Sequence, residues 1–334
     1  MKKLVLVPIL ALFFCGVAVA ETSIKFANDW KWEGPAAPLL LAWDTGLYKA
    51  EGLDVQMDTG KGSLDAIPRV ASGTYQMGNS DINSLIKFRD KNPDLPVMAI
   101  FMIYNAPPFA VVGRKSLGVN APKDLEGKIL GAPAPDGAYA QWKAFVKAND
   151  IDASKVTIEN VGFPVREPML AQGSVHAITG YSFSSFINLK ANAVPEDDIS
   201  VLLMRNYGLD LYGNVIIVNP EFAKSNPDAV KGFLRATIKG FQATIADPAS
   251  AVKHVINHND VAREEVELER LQMALDQNIV TDEVRQNGIG GVDMDRLERS
   301  IDQIALTYDF TARPNGADIF DGSFLPAAEN RMVQ

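Results

Sequence analysis

Between residues 22 and 223 the sequence alternates between two periodicities, and this constrains the fold more than any other feature. "TSIKFAND" (22–29) has apolar residues at alternate positions, as a half-buried strand does. "APLLLAWDTGLYKAEG" (37–52) has helical spacing and a Gly52 stop. "LDVQMDTG" (53–60) alternates again, and "SLDAIPRVASG" (63–73) reads as a helix kinked at Pro68. "YQMGNSD" (75–81) is a strand entering a loop, "INSLIKFRD" (82–90) a helix, and "VMAIFMIY" (97–104) a buried strand. Strands and helices in turn predict an α/β fold on a parallel-type sheet.

The same grammar then starts afresh. "FAVVGRK" (109–115), the end of "PKDLEGKILGAP" (122–133), "VTIENVG" (156–162) and "HAITGYS" (176–182) read as strands. Helical stretches at 136–150 and 166–173 separate them, and "YGNVIIVNPEFA" (212–223) adds one more strong strand. Beyond Pro227 helical patterns dominate, at 227–247, 249–259, 263–280 and 293–310. Two isolated apolar strands bracket the middle third, as they would if the chain left one lobe, built a second and returned. The expected division is a discontinuous lobe one (21–110 and 214–334) and lobe two (111–213). A ligand cleft then lies between the lobes, at the carboxyl ends of the strands.

The first twenty residues read differently. Lys2 and Lys3 precede an apolar run from Leu4 to Phe14, and Ala18-Val19-Ala20 has the small-x-small pattern of a signal-peptidase site. The run is short for a membrane span. Cys15 raises a lipoprotein anchor as the alternative, although the bulky Phe14 precedes it. A cleaved signal (1–20), a start near Glu21 and a periplasmic location are therefore expected. Cys15 is the only cysteine, so the mature chain would have no disulfide, thiol nucleophile or cysteine-held metal. Without Lys2 and Lys3, 30 bases face 41 acids, a charge of −11. That balance argues against nucleic acid and anionic membranes as partners.

"APLLLAWDTGLYKAEGLDV" followed by "GSLDAIPRVASGTYQMG" resembles the extracytoplasmic solute-binding proteins of ABC importers. The branch is the nitrate/sulfonate/taurine group with its thiamine-pyrimidine-precursor relatives. "PKDLEGKILGAP" and "REPMLAQGSVHAITGY" resemble the family's later segments, and the resemblance spans roughly 22–250. It implies a two-lobed type II binding-protein fold that closes over a small solute and delivers it to a membrane permease, with neither catalysis nor a cofactor. A monomer is expected. His176 stands where the family usually has Asp, and the 30–33 loop is not a general family feature. The resemblance therefore does not carry a ligand with it.

Strand ends supply the candidate ligand-binding residues. In lobe one these are Asp29, Trp30, Trp32, Glu33, Gly62, Ser63, Asn79, Asp81 and Tyr104. In lobe two they are Asp136, Gly137, Phe163, Arg166, Glu167, Tyr181 and Phe183. A tryptophan face stacks on a flat or cationic group and a carboxylate accepts from an amine, so 29–33 is the strongest local signal. The alternative is that one or both indoles are core. Gly62-Ser63 opens a helix and is either an anion site or a plain serine cap. Ser80 or Asp81 is expected to cap the helix after it. Arg166 and Glu167 either face the ligand or form a local ion pair. Candidate carboxylates outnumber candidate cations, which favours an amino-bearing or heterocyclic solute, such as an aminopyrimidine or a taurine-like zwitterion with an anionic end, over a simple anion such as nitrate.

No G-x-S-x-G, P-loop or dinucleotide fingerprint is present. His254 and His258 are one helical turn apart but lack an evident third ligand, so surface histidines are expected. Trp43 and Trp142 are expected in the core. The rival readings are a pyrimidine-synthase-like or other secreted enzyme, and a ligand-sensing subunit for a membrane receptor.

Overall fold

The computed structural model describes residues 21–333, so the expected signal and Cys15 lie outside the described residues. Ten strands form two five-stranded sheets. The first sheet holds β1 (Thr22–Ala27), β2 (Leu53–Asp58), β3 (Met77–Asp81), β4 (Met98–Met102) and, from far along the chain, β10 (Asn214–Val218). Its order is β2-β1-β3-β10-β4. The second holds β5 (Phe109–Arg114), β6 (Ile129–Gly131), β7 (Thr157–Glu159), β8 (Ala177–Tyr181) and β9 (Ile199–Leu203), in the order β7-β6-β8-β5-β9. The molecule is a two-lobed α/β structure, one sheet per lobe.

One expectation is corrected. The sheets are mixed, not parallel: β10 runs antiparallel to β3 and β4, and β5 antiparallel to β8 and β9. Each reversed strand is the one by which the chain enters a sheet from the other lobe. It starts at the cleft end, where its parallel neighbours finish. A second correction concerns 37–52, which forms two helices, Ala37–Asp44 and Leu47–Ala50. Gly46 between them has φ of +74°, a left-handed conformation that interrupts a helix.

Long-range packing secures lobe one. Phe233, on the helix Pro227–Ala246, stacks on Tyr48 at 4.7 Å and on Phe26 of β1 at 5.5 Å. These rings are buried, and their burial stabilises the lobe by roughly 2–3 kcal/mol per side chain. The same helix approaches the Ala37–Asp44 helix very closely. A Cβ on Gly240 would lie 2.2 Å from the Pro38 carbonyl oxygen.

The C-terminal helices brace the crossovers between the lobes. Asn278 accepts from the Ala106 N–H at 3.0 Å through its backbone carbonyl and donates through Nδ2 to the Ala106 carbonyl at 2.9 Å. Arg296 donates to the Leu211 carbonyl (2.8 Å) on the return crossover. Among the described residues, no helix is long and apolar enough to cross a membrane.

Gly240→Ala should lower unfolding free energy by about 1–3 kcal/mol, the cost of overpacking against rigid backbone. Urea denaturation followed by circular dichroism measures it.

Candidate functional site

The loop after β1 is pinned before it reaches the cleft. The Asp29 backbone N–H donates to Asn79 Oδ1 at 2.6 Å, and the Gly62 N–H donates to the Asp29 carbonyl at 2.7 Å. Gly62 is required here. Its φ is +105°, and a Cβ would meet the Pro135 carbonyl oxygen, from the other lobe, at 2.7 Å.

The Asp29 carboxylate is the hub. Its Oδ2 accepts from Ser63 Oγ (3.1 Å) and from Asn214 Nδ2 (2.7 Å). Both side-chain donors reach the same oxygen, which leaves Oδ1 for another donor. Asn214 Oδ1 in turn accepts from the Tyr181 hydroxyl at 2.7 Å, so the chain of bonds crosses from lobe one to lobe two. Burial raises the Asp29 pKa to about 6, against the pull of Asn214 and Ser63 and with help from nearby Asp81. Burial also raises the Tyr104 and Tyr181 phenols well above their ordinary value, and the Asp29 charge adds to both.

Further cross-lobe bonds hold the cleft shut. Ser184 Oγ donates to Glu33 Oε2 (2.9 Å), and Lys87 Nζ donates to the Ala140 carbonyl (2.8 Å). Trp30 of lobe one meets Phe163 of lobe two edge to face, with centroids 4.6 Å apart. Between the lobes lies a cavity with about 790 Å³ of non-atom space, its open mouth included. Asp29, Trp30, Glu33, Gly62, Ser63, Asn79 and Tyr104 line it from lobe one. Asp136, Gly137, Phe163, Arg166, Tyr181 and Phe183 line it from lobe two.

Three expected site residues lie elsewhere. Trp32 is buried in the lobe-one core and does not line the cavity, and its carbonyl accepts from Asn259 Nδ2. Asp81 sits beneath the floor, where its carboxylate accepts from the Asn83 and Ser84 N–H groups and caps the helix Ile82–Lys91. Glu167 stands behind Arg166, bonded to its Nε (2.9 Å) and Nη2 (2.6 Å) and to Ser185 Oγ (3.0 Å). Burial opposes the Arg166 cation, but Glu167 and Asp136 outweigh it and raise its pKa. Arg166 thus presents a cation to the cavity from a buried pair.

The serine-cap reading of Ser63 also fails. Gly62, not Ser63, holds the cap position, and the serine hydroxyl is engaged with Asp29 and with the Asp81 N–H (3.1 Å). Glu33 is not a free carboxylate either. Besides Ser184, it faces Arg270 Nη1 at 3.4 Å, and Arg270 is buried in a pair with Glu267. Trp142 is core, whereas Trp43 is half-buried with its face on His258 at 5.0 Å. His254 and His258 each bond Asp44, at 2.8 and 2.7 Å.

Sequence reasoning missed Asn214, Arg270 and Ser184. Asn214 opens an apolar strand and Arg270 lies in a charge run, so neither carries a local signal.

Two α/β lobes of strand order 2-1-3-return-4, closed on an interlobe cavity, define the class: the periplasmic-binding-protein fold. The alkanesulfonate-binding protein SsuA from Xanthomonas axonopodis pv. citri, solved with MOPS bound, superposes with a TM-score of 0.69 at 11% identity. The match covers 93% of this chain and all of that one. The NMT1/THI5-like family model matches residues 35–251, more than half of the chain, and the chain belongs to that family. The formylaminopyrimidine-binding protein of Halalkalibacterium halodurans is 25% identical over 264 residues, or 77% of this chain and 78% of its own. A 4-amino-5-hydroxymethyl-2-methylpyrimidine phosphate synthase of Aspergillus parasiticus is also 25% identical, over 248 residues (72% and 71%).

Trp32→Ala should destabilise the chain by about 3–5 kcal/mol, as large core truncations do. A urea melt of the variant against the unaltered protein measures the loss.

Proposed function

We propose that the chain is the extracytoplasmic solute-binding component of an ABC importer, exported to the periplasm, and that its solute is a flat, amino-bearing nitrogen heterocycle. The observation that carries the ligand class is Asp29, a buried carboxylate with one oxygen already bonded and the other left for a donor. An exocyclic amine fits that oxygen. Trp30 and Phe163, already in edge-to-face contact across the lobes, supply a shared aromatic wall against which a planar ring would pack. Arg166 suits a ring nitrogen or a carbonyl oxygen at the other end. Capture by lobe closure is a hinge mechanism. The aminopyrimidine named in the curated binding protein belongs to this chemical class.

The synthase relatives raise catalysis as a second reading. The carrier reading is supported by where the histidines sit. His254 and His258 pair with Asp44, and His176 accepts through Nδ1 from the Ile129 N–H at 3.2 Å. None of the three lines the cavity. Incubation with aminopyrimidines followed by mass spectrometry should return them unchanged; a converted product would make the chain an enzyme.

Calorimetry across aminopyrimidines, alkanesulfonates and nitrate tests the ligand class. Tight binding of nitrate or a simple sulfonate, with amino compounds inert, would refute it. Trp30→Ala should weaken aminopyrimidine binding about tenfold or more, the scale of a lost aromatic contact, with little change in melting temperature.

The pH dependence follows from Asp29. Its folded pKa is raised to about 6, so the carboxylate is available above that pH and neutral below it. Affinity for an amine donor should be level above about pH 7 and fall towards pH 5, by up to about tenfold per unit. Asp29→Asn should flatten the profile in calorimetric titrations between pH 5 and 8.

A further inference from the structure

A second groove spans the two lobes away from the ligand cavity. Lys87 and Lys91 come from the helix Ile82–Lys91 of lobe one, and Lys143 comes from the helix Trp142–Ala148 of lobe two. Phe88 and Tyr308 give the groove an apolar floor. Its two walls are joined by the Lys87 Nζ bond to the Ala140 carbonyl, at 2.8 Å.

The charge around this groove is out of keeping with the chain. Acids outnumber bases 41 to 32, yet three cations converge here. Among the described residues none of the three forms an ion pair. The nearby carboxylate of Asp90 is already taken by the Tyr308 hydroxyl (2.9 Å) and by the N–H groups of Thr311 (2.9 Å) and Ala312 (3.2 Å). Lys91 Nζ lies 5.7 Å from the Tyr308 ring centre, a cation–π contact instead of a salt bridge. Burial holds the Lys87 pKa below its ordinary value, and Lys143 and Lys91 push it the same way against Asp81. The cations therefore repel one another, and an incoming carboxylate relieves that repulsion while neutralising charge on both lobes.

We propose that this groove docks an acidic peptide segment of a partner protein, held by Lys91 on lobe one and Lys143 on lobe two over the Phe88–Tyr308 floor. Complementarity of charge carries the assignment: generic electrostatics on so acidic a chain would repel such a peptide, so only a local basic groove can hold it. Because one wall comes from each lobe, a docked segment contacts the closed arrangement of the lobes. The inference stands whatever solute the cavity takes, and its failure leaves that reading untouched.

Fluorescence anisotropy with a labelled eight-glutamate peptide at low ionic strength tests it on the purified protein. The peptide should bind, and Lys91→Glu and Lys143→Glu should each weaken it about fivefold or more, the scale of one partly exposed ion pair. Lys91→Gln and Lys143→Gln should weaken it less, with unchanged far-ultraviolet spectra. The control reversal Lys224→Glu, on another face of lobe one, should change affinity less than about twofold, the effect of net charge through screened solvent. Four results would overturn the proposal: no binding to the unaltered protein, an equal loss from the control, no effect of Lys143→Glu, or full displacement by inorganic phosphate at matched ionic strength. The last would make the groove a site for a free oxyanion instead.

Discussion

The closed arrangement turns on one hydrogen-bonded chain: the Tyr181 hydroxyl to Asn214, Asn214 to Asp29, and Ser63 to the same carboxylate. It joins β8 of one lobe to β10 of the other and ends on a buried acid with an oxygen to spare. A buried carboxylate is costly. Holding Asp29 near a pKa of 6 instead of its usual 3.8 disfavours the ionised folded state by about 3 kcal/mol. Because the folded pKa is raised, that cost is full above pH 6, shrinks as pH falls below it and is gone only below about 3.8.

The other buried charges of the cleft follow a different rule. Arg166 lies within a carboxylate pair made by Glu167 and, at 3.9 Å, Asp136. Arg270 lies between Glu267 and Glu33 and also bonds Asn188 Oδ1 (3.1 Å) on a lobe-two helix. Breaking such a pair leaves an uncompensated charge and costs several kcal/mol, whereas the intact pair adds little net stability. Their contribution is geometric. Arg166 keeps a cation at a defined place on the wall, and Arg270 ties the 30–33 loop to the other lobe.

Much of the fold was legible in the sequence because its signal is local. The alternating apolar pattern of 22–29 and 53–60 and the glycine stop at Gly52 need no distant partner to be read. Most of the cavity wall was legible too, since the loops that line the cleft follow strand ends and the strand ends were evident. What escaped was pairing. Asn214 reaches Asp29 across 185 positions, and Ser184 reaches Glu33 across 151. No spacing rule links residues so far apart. Glu33 read as a free acid for this reason, although Arg270 and Ser184 already engage it. The parallel-sheet expectation failed in the same way: strand period does not encode direction, which is set by the end from which the chain enters the sheet.

The sequence by itself determined the class of architecture, two α/β units with polar loops at their strand ends, because hydrophobic period and turn chemistry act over a few residues. Only the tertiary structure decided which of those polar groups remain available. It placed the Trp30 indole in the cleft and the Trp32 indole in the core, although the two are separated by a single residue. It left one oxygen of Asp29 open while engaging both Glu33 and Glu167. Availability is what remains after burial and pairing, and both depend on elements that meet only when the chain has folded.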